Sequence, residues 1–347
     1  MTQVDTARAD LPEIGSRRAI GDGSGPGRRR RGLGLAALAL LLGLVIALHA
    51  HIPNRIGNVG SLAETFLPWS GLAIPALLVG ALWRRSAITL AALLVPVVAW
   101  ANLFGGQFVG NADTGGDLVV AEHNVGAGNP DPAGTARDLA TSGADVLALV
   151  EVAEQARDVY ERGLAKAYPF HTMQGTVGLW SKLPLSDIQP VDTRQDAGPL
   201  GDAKPIEEKL AYLRALRATV ATDRGPLAVY VAHLGSVRVH PVTGFDTDSR
   251  DSGAQALAEA VAAEQNTRVV LLGDLNGTMD DRAFAGLTAQ LRSAQEAAGD
   301  GFGFSWPAGF PVVRIDQILV RGVTTESSWV LPATGSDHLP IAAGISW

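Results

Sequence analysis

The chain has 347 residues, enough for one large domain and a smaller companion. It carries a net charge of -7, which gives no reason to expect nonspecific attachment to a nucleic-acid backbone. It has no cysteine, which excludes disulfides, thiolate zinc sites and cysteine nucleophiles and is compatible with life outside the cytoplasm.

Residues 1–31 are polar, rich in glycine and arginine, and end in Gly27-Arg28-Arg29-Arg30-Arg31. With no apolar period they read as a disordered cytoplasmic tail. Residues 32–104 are far more apolar than the rest and predict three transmembrane helices, over Gly32–Ala50, about Phe66–Trp83, and Ser86–Phe104. A cleaved leader is the competing reading of the first run. There is no small-x-small site near Ala47 to Ala50, and two more apolar runs follow, which favours an anchor. Pro68, Pro75 and Pro96 are tolerated better in lipid than in a soluble helix. Trp69, Trp83 and Trp100 lie near the expected ends of the spans, where an amphipathic ring prefers the interface. Arg28–Arg31 and Arg84-Arg85 fall on one side of three spans, and the intervening loop carries only Arg55. The positive-inside rule then places the amino terminus in the cytoplasm and everything after about residue 105 outside, at the cell membrane. Gly105–Gly116 reads as a glycine-rich linker.

Residues 117–347 alternate strand and helix patterns. Strands are expected over Asp117–Glu122, Asp145–Val150, Thr176–Trp180, Val269–Leu272, Arg314–Val320 and Ile341–Ile345. A hairpin, Leu216–Val220 with Leu227–Ala232, turns at Asp223-Arg224-Gly225. Helices are expected over Thr135–Ser142, Glu154–Ala167 and Gln255–Glu264. Glu151, His233 and Asp274 each stand just beyond a buried strand, as does Asn124, and polar residues at strand ends usually line one crevice. In Gly273-Asp274-Leu275-Asn276 an acid and an amide two residues apart face the same side. That pair suits a carboxylate that orients a water and an amide that holds a phosphate oxygen. A plain turn is the alternative for this stretch alone.

Six pieces carry a resemblance: Glu122-His123-Asn124-Val125, Leu149-Val150-Glu151-Val152, Val231-Ala232-His233-Leu234, Gly273-Asp274-Leu275-Asn276, Arg314-Ile315-Asp316-Gln317-Ile318 and Ser336-Asp337-His338. In this order, across 117–347, they resemble the endonuclease/exonuclease/phosphatase superfamily. The resemblance implies an α/β four-layer sandwich, DNase I-like, here preceded by three transmembrane helices. The anchor is similar to that of membrane-bound actinobacterial members of the VanJ type. The resemblance also implies roles. Glu151 would be the main metal ligand, with Asn124 close by and Asp337 supporting the metal or its water. Asp274 would deprotonate the attacking water, Asn276 bind a phosphate oxygen, and His338 stabilise charge at the scissile phosphate. Asp316 would fix the His338 tautomer, and His233 would contact the phosphate from the other side. Magnesium is the expected ion, with manganese as the alternative, because the donors are hard oxygens.

The outward-facing site beside a bilayer favours a lipid-linked phosphoester or pyrophosphate. The runner-up is an extracytoplasmic nuclease acting on DNA or RNA, and a reading of another class is a non-catalytic tethered binding module. Arg214 and Arg217 read as a solvated face ahead of a substrate-phosphate contact, and Trp306-Pro307 as packing ahead of substrate stacking. His171, Arg238 and His240 lie in loops, Lys182 precedes a turn, and His49 and His51 sit at a membrane edge.

Overall fold

The computed structural model describes residues 26–108, 115–193, 213–241 and 244–347. Residues 1–25 of the expected tail and 109–114 of the expected linker lie outside the described residues.

Two six-stranded sheets stack face to face. The first runs in the order β3 (Phe170–Gln174), β4 (Val177–Ser181), β2 (Val146–Val150), β1 (Leu118–Asn124), β14 (Ile341–Ser346), β13 (Thr324–Val330). The second runs β5 (Leu185–Pro190), β6 (Ala215–Thr222), β7 (Gly225–His233), β10 (Val269–Asp274), β12 (Asp316–Arg321), β11 (Arg292–Ser293). A small ribbon pairs β8 (Arg238–His240) with β9 (Gly244–Asp246).

The continuous apolar runs exist because the central strands are buried on both faces. In β10, Val270 and Leu272 face the other sheet, where Val120, Val146, Ala148 and Val150 meet Leu216, Val229, Val231 and Ile318. Val269 and Leu271 face outward, beneath α8 (Asp248–Ala263), whose Ala254, Leu257 and Val261 cover them. On the opposite side α6 (Pro132–Ala140) and α7 (Arg157–Leu164) cover the first sheet through Ala136, Leu139, Tyr160 and Leu164. The layers are therefore helix, sheet, sheet, helix, as expected. Asp131 caps α6 by accepting a 2.8 Å bond from the Gly134 amide, and Pro132 fills the first helical position, so the helix starts earlier than Thr135.

Strands β3, β5 and β13 were not anticipated. Each lies at or beside a sheet edge with one face open, and β13 reads Thr-Thr-Glu-Ser-Ser-Trp-Val, a polar pattern that hides it. The helix expected over Glu154–Ala167 is shorter, with a 3-10 turn at Glu154–Ala156 leading into α7.

The amino-terminal segment differs more. Its helices are α1 (Pro26–Ala47), α2 (Val59–Thr65), α3 (Ala73–Trp83), α4 (Ala87–Ala92) and α5 (Leu94–Phe104). One continuous apolar rod among the described residues, Ala87–Phe108, has the length and hydropathy to cross a bilayer, at 22 residues. The expected second span corresponds to Leu67–Trp83, which joins the preceding helix Val59–Thr65 at a bend of 70°. The apolar part of the first, Gly32–Ala47, is shorter. At 1.5 Å per residue it reaches about 24 Å, short of a ~30 Å hydrocarbon core. Among the described residues one helix is long and apolar enough to cross a membrane, or two if the bent pair counts as one span, so three transmembrane helices are not shown. Helix α1 also begins at Pro26, inside the stretch expected to be a disordered tail.

The bend has a cause. Helix α2 lays its polar side on the sandwich instead of on lipid. Buried Glu64 receives Arg282 through its Nε and Nη2, at 3.0 and 2.8 Å, and Asn58 Nδ2 donates to the Phe245 carbonyl at 2.8 Å. Nor is Gly105–Phe108 a loose linker. It continues the helical path as a 3-10 turn, and Phe108 packs edge-on to Phe302 at 5.3 Å.

Removing one partner of a buried ion pair costs about 3–5 kcal/mol, an upper limit here because Arg282 stays 30% exposed. Arg282→Ala should therefore speed amide exchange in Val59–Thr65 at least tenfold while leaving β10 protected. Unchanged exchange would show that the contact does not hold α2 in place.

Candidate active site

The catalytic-type residues meet at one end of the sandwich because strands from both sheets end there. Asn124 ends β1, Glu151 follows β2, His233 ends β7 and Asp274 ends β10. Asp316 opens β12 and lies directly opposite Asp274 in the antiparallel register. Glu151 and Asn276 both adopt left-handed backbone, φ 57° and 53°, a strained state that tends to collect at functional sites. Gly273 permits the crowding, since a Cβ there would collide with the Ala232 carbonyl oxygen of β7.

Asp274 is the hub. Its Oδ1 accepts from the Asn276 amide at 2.8 Å and its Oδ2 from Asn124 Nδ2 at 2.9 Å. His233 Nε2 lies 3.7 Å from Oδ2, and His338 Nε2 lies 3.9 Å from it. His233 Nε2 is also 3.3 Å from Glu151 Oε1, so an unbroken chain of short contacts links Glu151 to His338. Behind His338, its Nδ1 is 2.9 Å from Asp316 Oδ2. Asn276 Nδ2 donates to the Leu234 carbonyl at 3.1 Å, which fixes the amide.

Charge states follow from these contacts. Burial opposes charge on His338, but the bond to Asp316 and the nearby carboxylates outweigh it and hold its pKa up to about 9. His338 is therefore an imidazolium that donates from Nδ1 to Asp316 and keeps Nε2–H toward the cleft. Burial, then the Asp316 charge, pushes Asp274 up to about 7, against the pull of His338 and its two amide donors. Burial, Arg214 and His338 together hold His233 well below the usual histidine value, so it is neutral. Glu122, wholly buried behind the site with no hydrogen bond to either carboxyl oxygen, is raised by burial and by Asp316 and Asp274, and is neutral as well.

Asp337 stands slightly apart. It is exposed, and its Oδ2 accepts from Trp306 Nε1 at 3.4 Å. It borders the Asn124–Gly126 turn, where the Ala127 amide donates to Glu151 Oε2 at 3.2 Å. Asp337, Asn124 and Glu151 thus surround one short loop.

The donors fit a hard divalent cation. Glu151 is 30% exposed at the cleft, its Oε1 lies 3.3 Å from His233 Nε2 and its Oε2 accepts from the Ala127 amide, so a carboxylate reaches the cleft beside the Asn124–Gly126 turn. Asp274, Asp316 and His338 also offer ligand atoms within 4.8 Å of one another. Asp316 and His338 Nδ1 are already committed to each other, which suits an acid–imidazole relay better than a ligand set.

Arg214 belongs to the site, contrary to its reading as a solvated face. Its Nη2 lies 2.6 Å from His233 Nδ1. Hairpin register was the available signal: Ala215 pairs with Ala232, so the next step sets Arg214 beside His233. Arg217 is structural, with its Nε donating to Glu264 at 2.9 Å. Trp306 sits at the rim, bonded to Asp337, and is more than packing. Lys182 pairs with Asp145, His171 stacks on Trp180, His240 faces Asp246 and His49 lies 3.6 Å from Glu64; none of these joins the cluster.

The sequence matches none of the curated proteins compared with it. Solved structures share its fold. Beta toxin from Staphylococcus aureus superposes with a TM-score of 0.52 at 16% identity, over 65% of this chain and 99% of the toxin. Mannosyl-6-phosphatase from Bacteroides thetaiotaomicron gives 0.51 at 14% identity, over 67% and 100%. Humanized D. rerio TDP2 gives 0.51 at 18% identity, over 66% and 98%. These identities establish the fold alone. The profile of the Endonuclease/Exonuclease/phosphatase family matches residues 121–338, which spans all six motif pieces. The chain belongs to that family and is a divalent-metal-dependent hydrolase of phosphoester bonds.

Proposed function

We propose that the protein is a membrane-anchored phosphoesterase, with magnesium as its ion, that cleaves a phosphodiester or pyrophosphate bond in a lipid-linked cell-envelope compound outside the cytoplasm. The observation that carries the chemistry is the Asp316–His338–Asp274 line, a charged imidazole held between two buried acids.

Glu151, Asn124 and Asp337 would hold the cation, which supplies charge neutralisation at the phosphoryl oxygens. Asp274, in its ionised form, takes a proton from the attacking water. Its two amide donors fix both oxygens, so the acceptor lone pairs are already aimed. His338 presents Nε2–H to the oxygens that gain charge as the bond breaks, and Asp316 keeps it charged. Asn276 and neutral His233 bound the phosphate from the other sides. No covalent intermediate is required for in-line displacement.

Membrane attachment is supported by surface chemistry. Most large exposed apolar side chains among the described residues precede Gly115, including Leu38, Leu41, Leu44, Val79, Leu94 and Val98. The Gly32 carbonyl accepts from Thr89 Oγ1 at 2.9 Å, so the end of α1 that follows Arg28–Arg31 sits beside the start of α4, which follows Arg84-Arg85. Both basic clusters lie at that end, while Phe66–Leu72 and Phe104–Phe108, at the other, meet the sandwich. Positive-inside orientation then favours a catalytic domain on the outer face. The resemblance to VanJ-type members rests on this segment. A reporter fused after Trp347 should be active only outside the cytoplasm; activity inside would reverse the topology.

With magnesium, the purified full chain should cleave a lipid pyrophosphate faster than plasmid DNA, and the opposite order would favour the nuclease reading. His338→Ala and Asp274→Asn should each lower kcat by about a hundredfold or more, since one preorganised group is worth that much. Full activity in His338→Ala would remove its assigned role. His338 loses its proton as pH rises through about 9, so kcat/KM should fall above that value. Asp316→Asn removes what holds the imidazole up, and the falling limb should move toward the ordinary 6.5.

A further inference from the structure

Between the helical segment and the sandwich lies a cavity of about 530 Å³, within the range of small-molecule sites. Trp69, Leu72, Ile74, Val97 and Trp100 line it from the helices, and Phe302 and Phe304 from the sandwich; every lining residue is apolar. Both indole N–H groups are spent elsewhere: Trp69 Nε1 donates to the Val312 carbonyl at 2.7 Å and Trp100 Nε1 to the Pro68 carbonyl at 3.0 Å. The groove therefore offers ring faces and aliphatic carbon and no polar handle. It is open on the side of Leu72 and Val97, both exposed on the helices read as membrane-embedded.

Its inner wall continues along the chain to the rim of the candidate active site. Phe304 stacks on Trp69 at 5.6 Å. The next residue, Ser305, accepts at its carbonyl from the Leu339 amide at 2.8 Å, beside His338. Two residues on, Trp306 donates to Asp337. Two residues of extended chain cover at most about 7 Å, so an apolar wall and the phosphoryl-binding residues are near neighbours.

We propose that this groove holds the hydrocarbon chain of the lipid phosphoester substrate while its phosphate lies at His338. The inference rests on the lipid-phosphoester reading above. Charge complementarity selects the occupant. One end of the path is lined by apolar residues and meets the bilayer side, and the other ends at the Asp316-bound imidazole of His338 and a carboxylate cluster that fits a cation. An anionic head with a long apolar tail matches both ends at once. Nucleic acid matches only one.

The test compares two esters with the same scissile bond, hexadecyl and ethyl p-nitrophenyl phosphate, on full-length protein in nanodiscs with magnesium. Wild type should prefer the long chain in kcat/KM by a hundredfold or more. Ala101 also lines the groove, and Ala101→Phe, which fills it, should raise KM for the hexadecyl ester at least tenfold and leave the ethyl ester unchanged. A direct binding arm uses hexadecyl phosphate brominated on its chain, which should quench Trp69 and Trp100 fluorescence saturably in wild type and not in Ala101→Phe. Equal rates on both esters, or equal quenching by brominated phosphatidylcholine, would overturn the proposal and leave the hydrolase reading intact. If neither ester is cleaved, the hydrolase reading falls and the quenching alone decides the groove.

Discussion

Two buried carboxylates sit face to face across one antiparallel strand pair, and the site is built around that problem. Asp274 and Asp316 are directly opposed on β10 and β12, and both are almost inaccessible to water. Like charges so placed repel strongly in a medium that screens poorly. The protein separates their duties. Asp316 is neutralised by the His338 imidazolium, and Asp274 is held by two amide donors with room left for a proton or a cation. The neutrality of His233 and Glu122 follows from the same crowding, since neither an extra cation nor an extra anion is tolerated there without a partner.

Much of this was legible in the sequence because strand ends are. A buried strand that stops at a polar residue marks both a fold position and a candidate ligand, and Asn124, Glu151, His233 and Asp274 were found this way. Asp316 and His338 were placed by family likeness, and the register of β10 with β12 supplies the physical reason. Arg214 was missed because its partner lies across a hairpin whose register was not followed to the end. Edge strands such as β13 were missed because one open face lets polar residues in and erases the alternation.

The amino-terminal segment departs from three straight spans for a related cause. Apolar composition identifies what prefers lipid, yet it does not show where a helix stops because a polar face has another partner. Ser61, Glu64 and Thr65 look like minor interruptions before an apolar run; in the fold they are buried. Ser61 Oγ and Glu64 form the seam with Asp281 and Arg282 that turns the chain by 70°. The helical path from Leu94 to Phe108 likewise sets Phe104 and Phe108 against Phe302.

That seam sets a ruler. A head swinging on a dozen flexible residues would sample phosphates at many heights above the surface. On the membrane anchor proposed above, a head clamped through Glu64 and Arg282, with Trp69 wedged under Phe304, would keep its cleft at one altitude and one tilt. Reach would be exchanged for aim: bonds lying in a thin layer next to the lipid would be always within grasp, and those on polymers extending far from it would not.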